Sequence, residues 1–145
     1  MKLTTKTRYG ARLLLDIAMN QNQGAVQMSN ISARQDISVK YLEQLIRPLK
    51  KAKLINSIRG PKGGHILAQK PEKITLGHIM RLFEGQSDLV DCLSDPKKCS
   101  KSKDCAVRVA WHSATQALYE KLNAITIADL MCMAFPRKEH SKRRN

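Results

Sequence analysis

Acidic side chains and aromatics are both scarce in this chain. Twelve Asp and Glu stand against 26 Lys and Arg in 145 residues, for a net charge of +14, and aromatics make up 4%. A surplus of that size points to a polyanionic partner, because each phosphate that a cation neutralises releases condensed counterions. An anionic membrane surface is the rival polyanion. Long apolar runs are missing too: none approaches the roughly 18 residues of a membrane span. The opening stretch MKLTTKTRYGARLLLDIAMN is broken by Arg8, Arg12 and Asp16, so it does not read as a secretory signal. A cytoplasmic protein with no membrane partner is expected. The patterns G-x-S-x-G, H-E-x-x-H and the P-loop are absent, and few carboxylates lie near histidines, which argues against an enzyme. A Cys–His pair with His112 is the one catalytic arrangement left, and nothing else supports it. Cysteine is sparse as well, at four. A chain of this length buries a core without disulfides, and cytoplasmic thiols stay reduced. The cysteines are therefore read as metal or redox groups.

What is present is helical periodicity interrupted once. Residues 7–20 carry an apolar face of Tyr9, Leu13 and Ile17 with Ala11, Leu14 and Ala18 beside it. Gln21 to Gly24 form a polar break. Residues 28–35 predict a short second helix with Met28, Ile31 and Ala33 turned partly inward. Asp36 and Ile37 make a turn. Ser38 is a suitable N-cap for a third helix over 39–52, awkward only at Pro48. Its core face is Leu42, Leu45, Ile46 and Leu49; Tyr41, Gln44, Arg47 and Lys51 lie opposite. From Leu54 to Arg59 the period changes to strand alternation, and GPKGG turns the chain into a returning strand, His65 to Ala68. Thr75 caps a fourth helix over 76–84, and residues 86–104 read as a Lys-rich loop. Residues 105–122 form the longest helix, with a stripe of Val107, Ala110, Trp111, Ala114, Ala117, Leu118 and Leu122. Thr126 caps a last short helix over 127–134.

The expected fold class is mainly α with a small β-hairpin: a winged helix-turn-helix plus a long dimerisation helix. The divisions are a winged-helix domain at 1–85, a cysteine-bearing loop at 86–104, the dimerisation and terminal helices at 105–134, and a basic, disordered tail at 135–145. A single small wing domain leaves the long helix's stripe uncovered, so a second copy is expected on it. Small Ala106, Ala110, Ala114 and Ala117 allow close approach there, with Trp111 and Leu118 as anchors.

An α-helix fits the major groove, and its exposed polar side chains reach base edges. Tyr41 and Gln44 are placed for that, and glutamine offers adenine both a donor and an acceptor. Lys40, Arg47, Lys50 and Lys51 are placed to hold phosphates. Arg59 and Lys62 sit where a wing would cross a minor groove, and Gly60, Gly63 and Gly64 permit the tight turn. A basic solvated helix and an ordinary hairpin are the plainer readings of each element alone. Their adjacency and order favour a sequence-specific regulator over a general RNA- or protein-binding module.

The segments MKLTTKTRYGARLLLDIA, VKYLEQLIRPLKKAKLINSIRGPKGGHIL and ITLGHIM, followed by three cysteines, resemble the IscR/NsrR/CymR family of bacterial winged-helix regulators. The resemblance runs to about residue 134, and YLEQL, SIRGPKGG and the cysteine loop are its most specific pieces. It implies a homodimer on a palindromic double-stranded operator. It also implies base contacts at Tyr41 and Gln44, tuning of accepted sites by Glu43, and minor-groove entry by Arg59. With Ser38, Lys40, Arg47, Lys51, Gly60 and Lys62 these make up the expected DNA-contacting set.

Cys92, Cys99 and Cys105 form a C-x6-C-x5-C run, unlike the C-x2-C of zinc ribbons. Three thiolates on one loop suit a soft metal centre. Lys97, Lys98, Lys101 and Lys103 nearby favour the thiolate. The resemblance implies an iron–sulfur cluster, 2Fe–2S ahead of 4Fe–4S, on these three cysteines and one further ligand. The chain departs from the family here. IscR-like members carry His three residues past the third cysteine, where this chain has Arg108. NsrR-like members carry an acid at the position of Arg8. The gap between the first two cysteines is one residue longer than usual. His112 is the remaining candidate, two turns or about 10.5 Å along a helix from Cys105. An external ligand is the other. Cys132, in an apolar run, reads as a buried core residue, and His65 and His78 as structural or surface residues. A thiol switch and a ligand-free loop are the alternatives to the cluster.

Overall fold

The computed structural model describes residues 2–142, with side chains as far as Phe135. Helix α1 spans Thr5–Asn20 and buries Leu13, Leu14, Ile17 and Ala18. A short 3-10 turn, Gln21–Gln23, leads to α2, Met28–Gln35. Asp36 ends α2 in the left-handed region at φ 54° and turns Ile37 into the core. Helix α3, Val39–Lys51, runs unbroken through Pro48. The missing proline N–H leaves the Gln44 carbonyl without its helical donor, but only one turn of helix follows, so the loss is confined to the end.

Strands β1, Ile55–Ile58, and β2, Gly64–Leu67, pair antiparallel, with Ile55 opposite Leu67 and Ser57 opposite His65. Val26 joins the far edge of β2 through two backbone bonds with His65, at 2.9 and 2.8 Å. The hairpin is thereby stitched to the segment before α2. Helix α4, Leu76–Glu84, is capped by Thr75, whose hydroxyl accepts from the His78 N–H.

The core gathers Leu13, Ile17, Ile31, Leu42, Leu45 and Leu49 with Leu54, Ile55, Ile74 and Ile79. Burying each such side chain contributes about 1.5–3 kcal/mol. Ile127 belongs to the same core. Thr126 pairs with Thr75, and the Ile127 N–H donates to the Ile74 carbonyl at 2.8 Å, so the chain's last helix returns to the wing domain.

Three expectations change. The segment 86–104 is not plain loop: it holds a one-turn helix α5, Asp91–Ser94, and a 3-10 turn, Pro96–Lys98. Asp95 caps the latter by accepting from the Lys97 N–H. Ala33 is exposed rather than inward. After α6, Ala106–Ala124, helix α7 does not stop at 134 but runs over Ile127–Lys142, through most of the segment read as a disordered tail. Its start is fixed by reciprocal bonds between Thr126 and Asp129, and the Arg, Lys and Glu after Pro136 are good helix formers. Residues 143–145, the rest of that tail, lie outside the described residues.

Candidate nucleic-acid interface and cysteine loop

Ser38 opens α3 by accepting from the Tyr41 N–H at 3.2 Å. That cap fixes the register in which Leu42, Leu45, Ile46 and Leu49 turn inward. Lys40, Glu43, Gln44, Arg47, Lys50 and Lys51 consequently face out. Tyr41 differs from the expectation of a free outer side chain. It is half-buried, and its ring meets Tyr9 edge-on at 5.9 Å and 89°. The Arg8 and Arg12 guanidiniums lie 5.8 and 5.3 Å from the Tyr9 ring centre. Arg12 also donates from Nε to the Gln35 side chain at 3.0 Å, tying α1 to α2. Tyr41 is therefore held by an aromatic–cation stack that no periodicity along α3 reveals.

The wing turn closes with the Gly63 N–H donating to the Gly60 carbonyl at 2.9 Å. Gly60 takes φ 113°, and a Cβ at Gly63 would strike the Ile58 carbonyl oxygen. The turn thus needs glycine at both places, one for conformation and one for space. Arg59, Gly60 and Lys62 are exposed at its tip.

Between α3 and the hairpin lies a cleft lined by Glu43, Arg47, Lys50, Ser57 and His65. Ser57 Oγ and His65 Nδ1 are 3.0 Å apart. Burial, and then the charge of Lys50, push the His65 imidazole below the usual histidine range. His65 had read as structural or surface. Its place opposite Ser57 follows from the hairpin register, but its approach to Lys50 comes from packing.

The cysteine segment is pinned at both ends. Tyr119 on α6 donates its hydroxyl to the Ser87 carbonyl at 2.8 Å and accepts from the Ser87 N–H. Cys105 is the N-cap of α6, its Sγ accepting from the Arg108 N–H at 3.4 Å. Arg108 Nε donates to the Cys92 carbonyl at 3.0 Å. Arg108, at the position where a histidine ligand was looked for, therefore clasps the two half-buried cysteines' segments together. Cys99 is exposed, and all four cysteines are free thiols. Cys132 is exposed, not buried: it falls on the outward side of α7 while Ile127, Leu130 and Met131 take the inward side.

Three disulfide-free sulfurs on one segment match an iron–sulfur cluster in donor chemistry. They are not gathered: among the described residues no three His, Cys, Asp or Glu stand close enough to share a metal ion. His112 lines a separate cleft on α6 with Gln86, Asp88 and Glu120. The structure does not bring it to the cysteines.

On α6, Thr115 is the one buried residue. Val107, Val109 and Trp111 are 59, 69 and 45% exposed, and Met133 and Phe135 of α7 are 59 and 57% exposed. Among the described residues no helix is long and apolar enough to cross a membrane.

The profile of the Rrf2 family, described as an iron-dependent transcriptional regulator, matches residues 3–133. Protein rrf2 of Nitratidesulfovibrio vulgaris, strain Hildenborough, is 47% identical over 131 residues, covering 90% of this chain and 87% of its own. The structure of CymR, the global cysteine regulator of B. subtilis, has a TM-score of 0.78 and 34% identity, covering 92% of this chain and 98% of its own. T. potens IscR has a TM-score of 0.75 and 34% identity, with 92 and 88% coverage. With its helix-turn-helix, hairpin wing and near-complete match, the chain belongs to the Rrf2 family of winged-helix, DNA-binding transcriptional regulators and is not an enzyme.

Proposed function

We propose that the chain acts as a homodimer that reads a palindromic operator and answers to an iron–sulfur cluster on Cys92, Cys99 and Cys105. The observation that carries the DNA half is the pairing of a polar outer face on α3 with a basic glycine turn beside it. Gln44 and Tyr41 read bases, with Glu43 restricting which are accepted. Lys40, Arg47 and Lys51 hold phosphates, Ser38 sets the helix start, and Arg59, Gly60 and Lys62 form the wing contact. A dimer presents two such heads, and their separation must match the half-site spacing. The cysteine segment lies between α4 and α6, so ordering it bears on how α6 joins the two copies.

The cluster reading rests on the donor set. Bound there, an iron–sulfur group supplies redox- and oxygen-sensitive chemistry. Cys92 and Cys105 are held by Arg108, while Cys99 is exposed on the same segment. Among the described residues His112 does not join the cysteines, so the fourth ligand falls to an external group or to another side chain. A second reading, a thiol switch, is favoured by the cysteines' lack of assembly and by the free, exposed Cys99; the related CymR of B. subtilis is a global cysteine regulator.

Anaerobic reconstitution with iron and sulfide separates the two. The expected result is visible absorbance in the wild type that is lost in each of Cys92→Ala, Cys99→Ala and Cys105→Ala and kept in Cys132→Ala. His112→Ala is expected to keep it too. A colourless wild type that forms an intramolecular disulfide on oxidation would establish the thiol switch instead. For the DNA half, Gln44→Ala should relax preference at one operator position by about 1–3 kcal/mol. Lys51→Ala should weaken all sequences alike. Equal loss of specificity from both would refute the division of roles.

A further inference from the structure

The cleft between the second half of α3 and the hairpin holds Lys50, Ser57 and His65, to which the division of roles above gives no part. It holds two cations, Arg47 and Lys50, a hydroxyl, Ser57, and an imidazole, His65. Glu43 is the carboxylate on the same lining, so positive charge still prevails. The cleft sits between the helix that meets bases and the strand that leads to Arg59 in the wing. We propose that Lys50, Ser57 and His65 form a subsite for a backbone phosphodiester of duplex DNA, and that filling it is coupled to protonation of His65. This rests on the DNA-binding reading and adds a subsite and a proton to it.

The geometry supplies the coupling. Ser57 Oγ lies 3.0 Å from His65 Nδ1. In the imidazolium both ring nitrogens carry protons, so Nδ1–H donates to Ser57 Oγ. The Ser57 O–H is then free to donate to a phosphate oxygen, and the added proton comes from solvent. In the free protein two effects disfavour that charge. Burial and Lys50 both act against it. Arg47 and Glu43 line the same cleft from α3; Val26, bridged to His65 along the strand edge, and Met28 of α2 are apolar. An anion beside Lys50 and His65 reverses the Lys50 effect and pairs the imidazolium. The bound-state pKa is therefore higher than the free-state one. The sign follows: the gain in affinity is complete below the free-state pKa and is lost as pH rises through the bound-state pKa.

The test is fluorescence anisotropy of the full chain on a labelled random-sequence duplex, at constant ionic strength, between pH 6 and pH 8. Phosphate contacts are independent of sequence, so no operator is needed. Affinity is expected to rise about threefold to tenfold as pH falls, up to the effect of one pKa unit. His65→Gln should flatten that slope, and Lys51→Ala should lower affinity at every pH while keeping it. NMR titration of the His65 ring gives a check that needs no variant: its midpoint should move up when duplex is bound. A slope that survives His65→Gln, or a midpoint that does not rise, overturns the subsite and leaves the DNA reading intact. Failure of the wild type to bind duplex at low salt overturns both.

Discussion

Asp16 carries a carboxylate on the buried side of α1, with its side chain 2% exposed. Arg34 meets it with two bonds, Nε at 3.0 Å and Nη2 at 2.7 Å, and Gln35 adds a third at 2.8 Å. The pair joins α1 to α2, the two helices that support α3 from behind. Removing Arg34 leaves a buried charge with one amide partner. Arg34 is itself 39% exposed, so the cost is below that of a fully buried pair. Arg34→Ala should lose about 2–3 kcal/mol of stability by urea denaturation; a loss near zero would mean that water replaces the guanidinium. Glu84 is the other carboxylate in demand. It accepts from the Thr7 hydroxyl and from the Thr4 hydroxyl and N–H, which holds its pKa below the ordinary 4.5. A depressed folded-state value means stability that is present above the unfolded pKa and lost as pH falls through the folded one. Thr7→Val should therefore lower the Tm near neutrality and change it little at low pH, which flattens the acid limb of a plot of Tm against pH. An unchanged acid limb would show that Glu84 contributes nothing to it.

The elements differ in how directly the sequence declares them. Helix α3 is the most legible: Ser38 marks its cap, and its four inward positions and most of its polar outer face follow from a 3.6-residue period, with Tyr41 the exception. The hairpin is legible from strand alternation and glycine spacing. Helix α7 is legible only at its start, where Thr126 caps it; its length is not, because Pro136 and a run of charge resemble a stop. Helix α6 is legible as a helix; it packs on α4 with one side and leaves much of its apolar surface uncovered. It buries Thr115 and leaves Val107, Val109 and Trp111 in the open. A face of that kind is expected to be covered by a second copy. Sedimentation should therefore give a dimer at micromolar concentration and a monomer for Trp111→Glu, with far-UV circular dichroism unchanged. A monomeric wild type would remove the dimer from the proposal. In the hairpin, Gly63→Ala should open the wing turn, weaken duplex binding and cost about 1–3 kcal/mol of stability by urea denaturation, because the added Cβ strikes the Ile58 backbone carbonyl.

At the scale of the whole molecule, a net charge of +14 sets the response to salt. Lys40, Arg47, Lys50, Lys51, Arg59 and Lys62 surround the reading face. If each neutralises a phosphate, log K should fall against log salt with a slope of about −5 per protomer. A slope near zero in anisotropy titrations would mean that this charge does not face DNA.

The sequence by itself determined the winged-helix order, the inward face of α3, the basic character of the reading surface and the chain's place among regulators. The first three are read from neighbours a few residues apart, where helix and strand geometry fix which side chains share a face; the last rests on the family resemblance of whole segments. Only the tertiary structure decided the rest. It stacked Tyr41 on Tyr9, set Arg34 on Asp16, brought Lys50 to His65, returned Ile127 to the core and turned Cys132 outward. It also put Arg108, not a histidine, between Cys92 and Cys105. These partners come from different elements, and no period along the chain relates them. Their meeting depends on how helices and hairpin pack, which is set by the core as a whole.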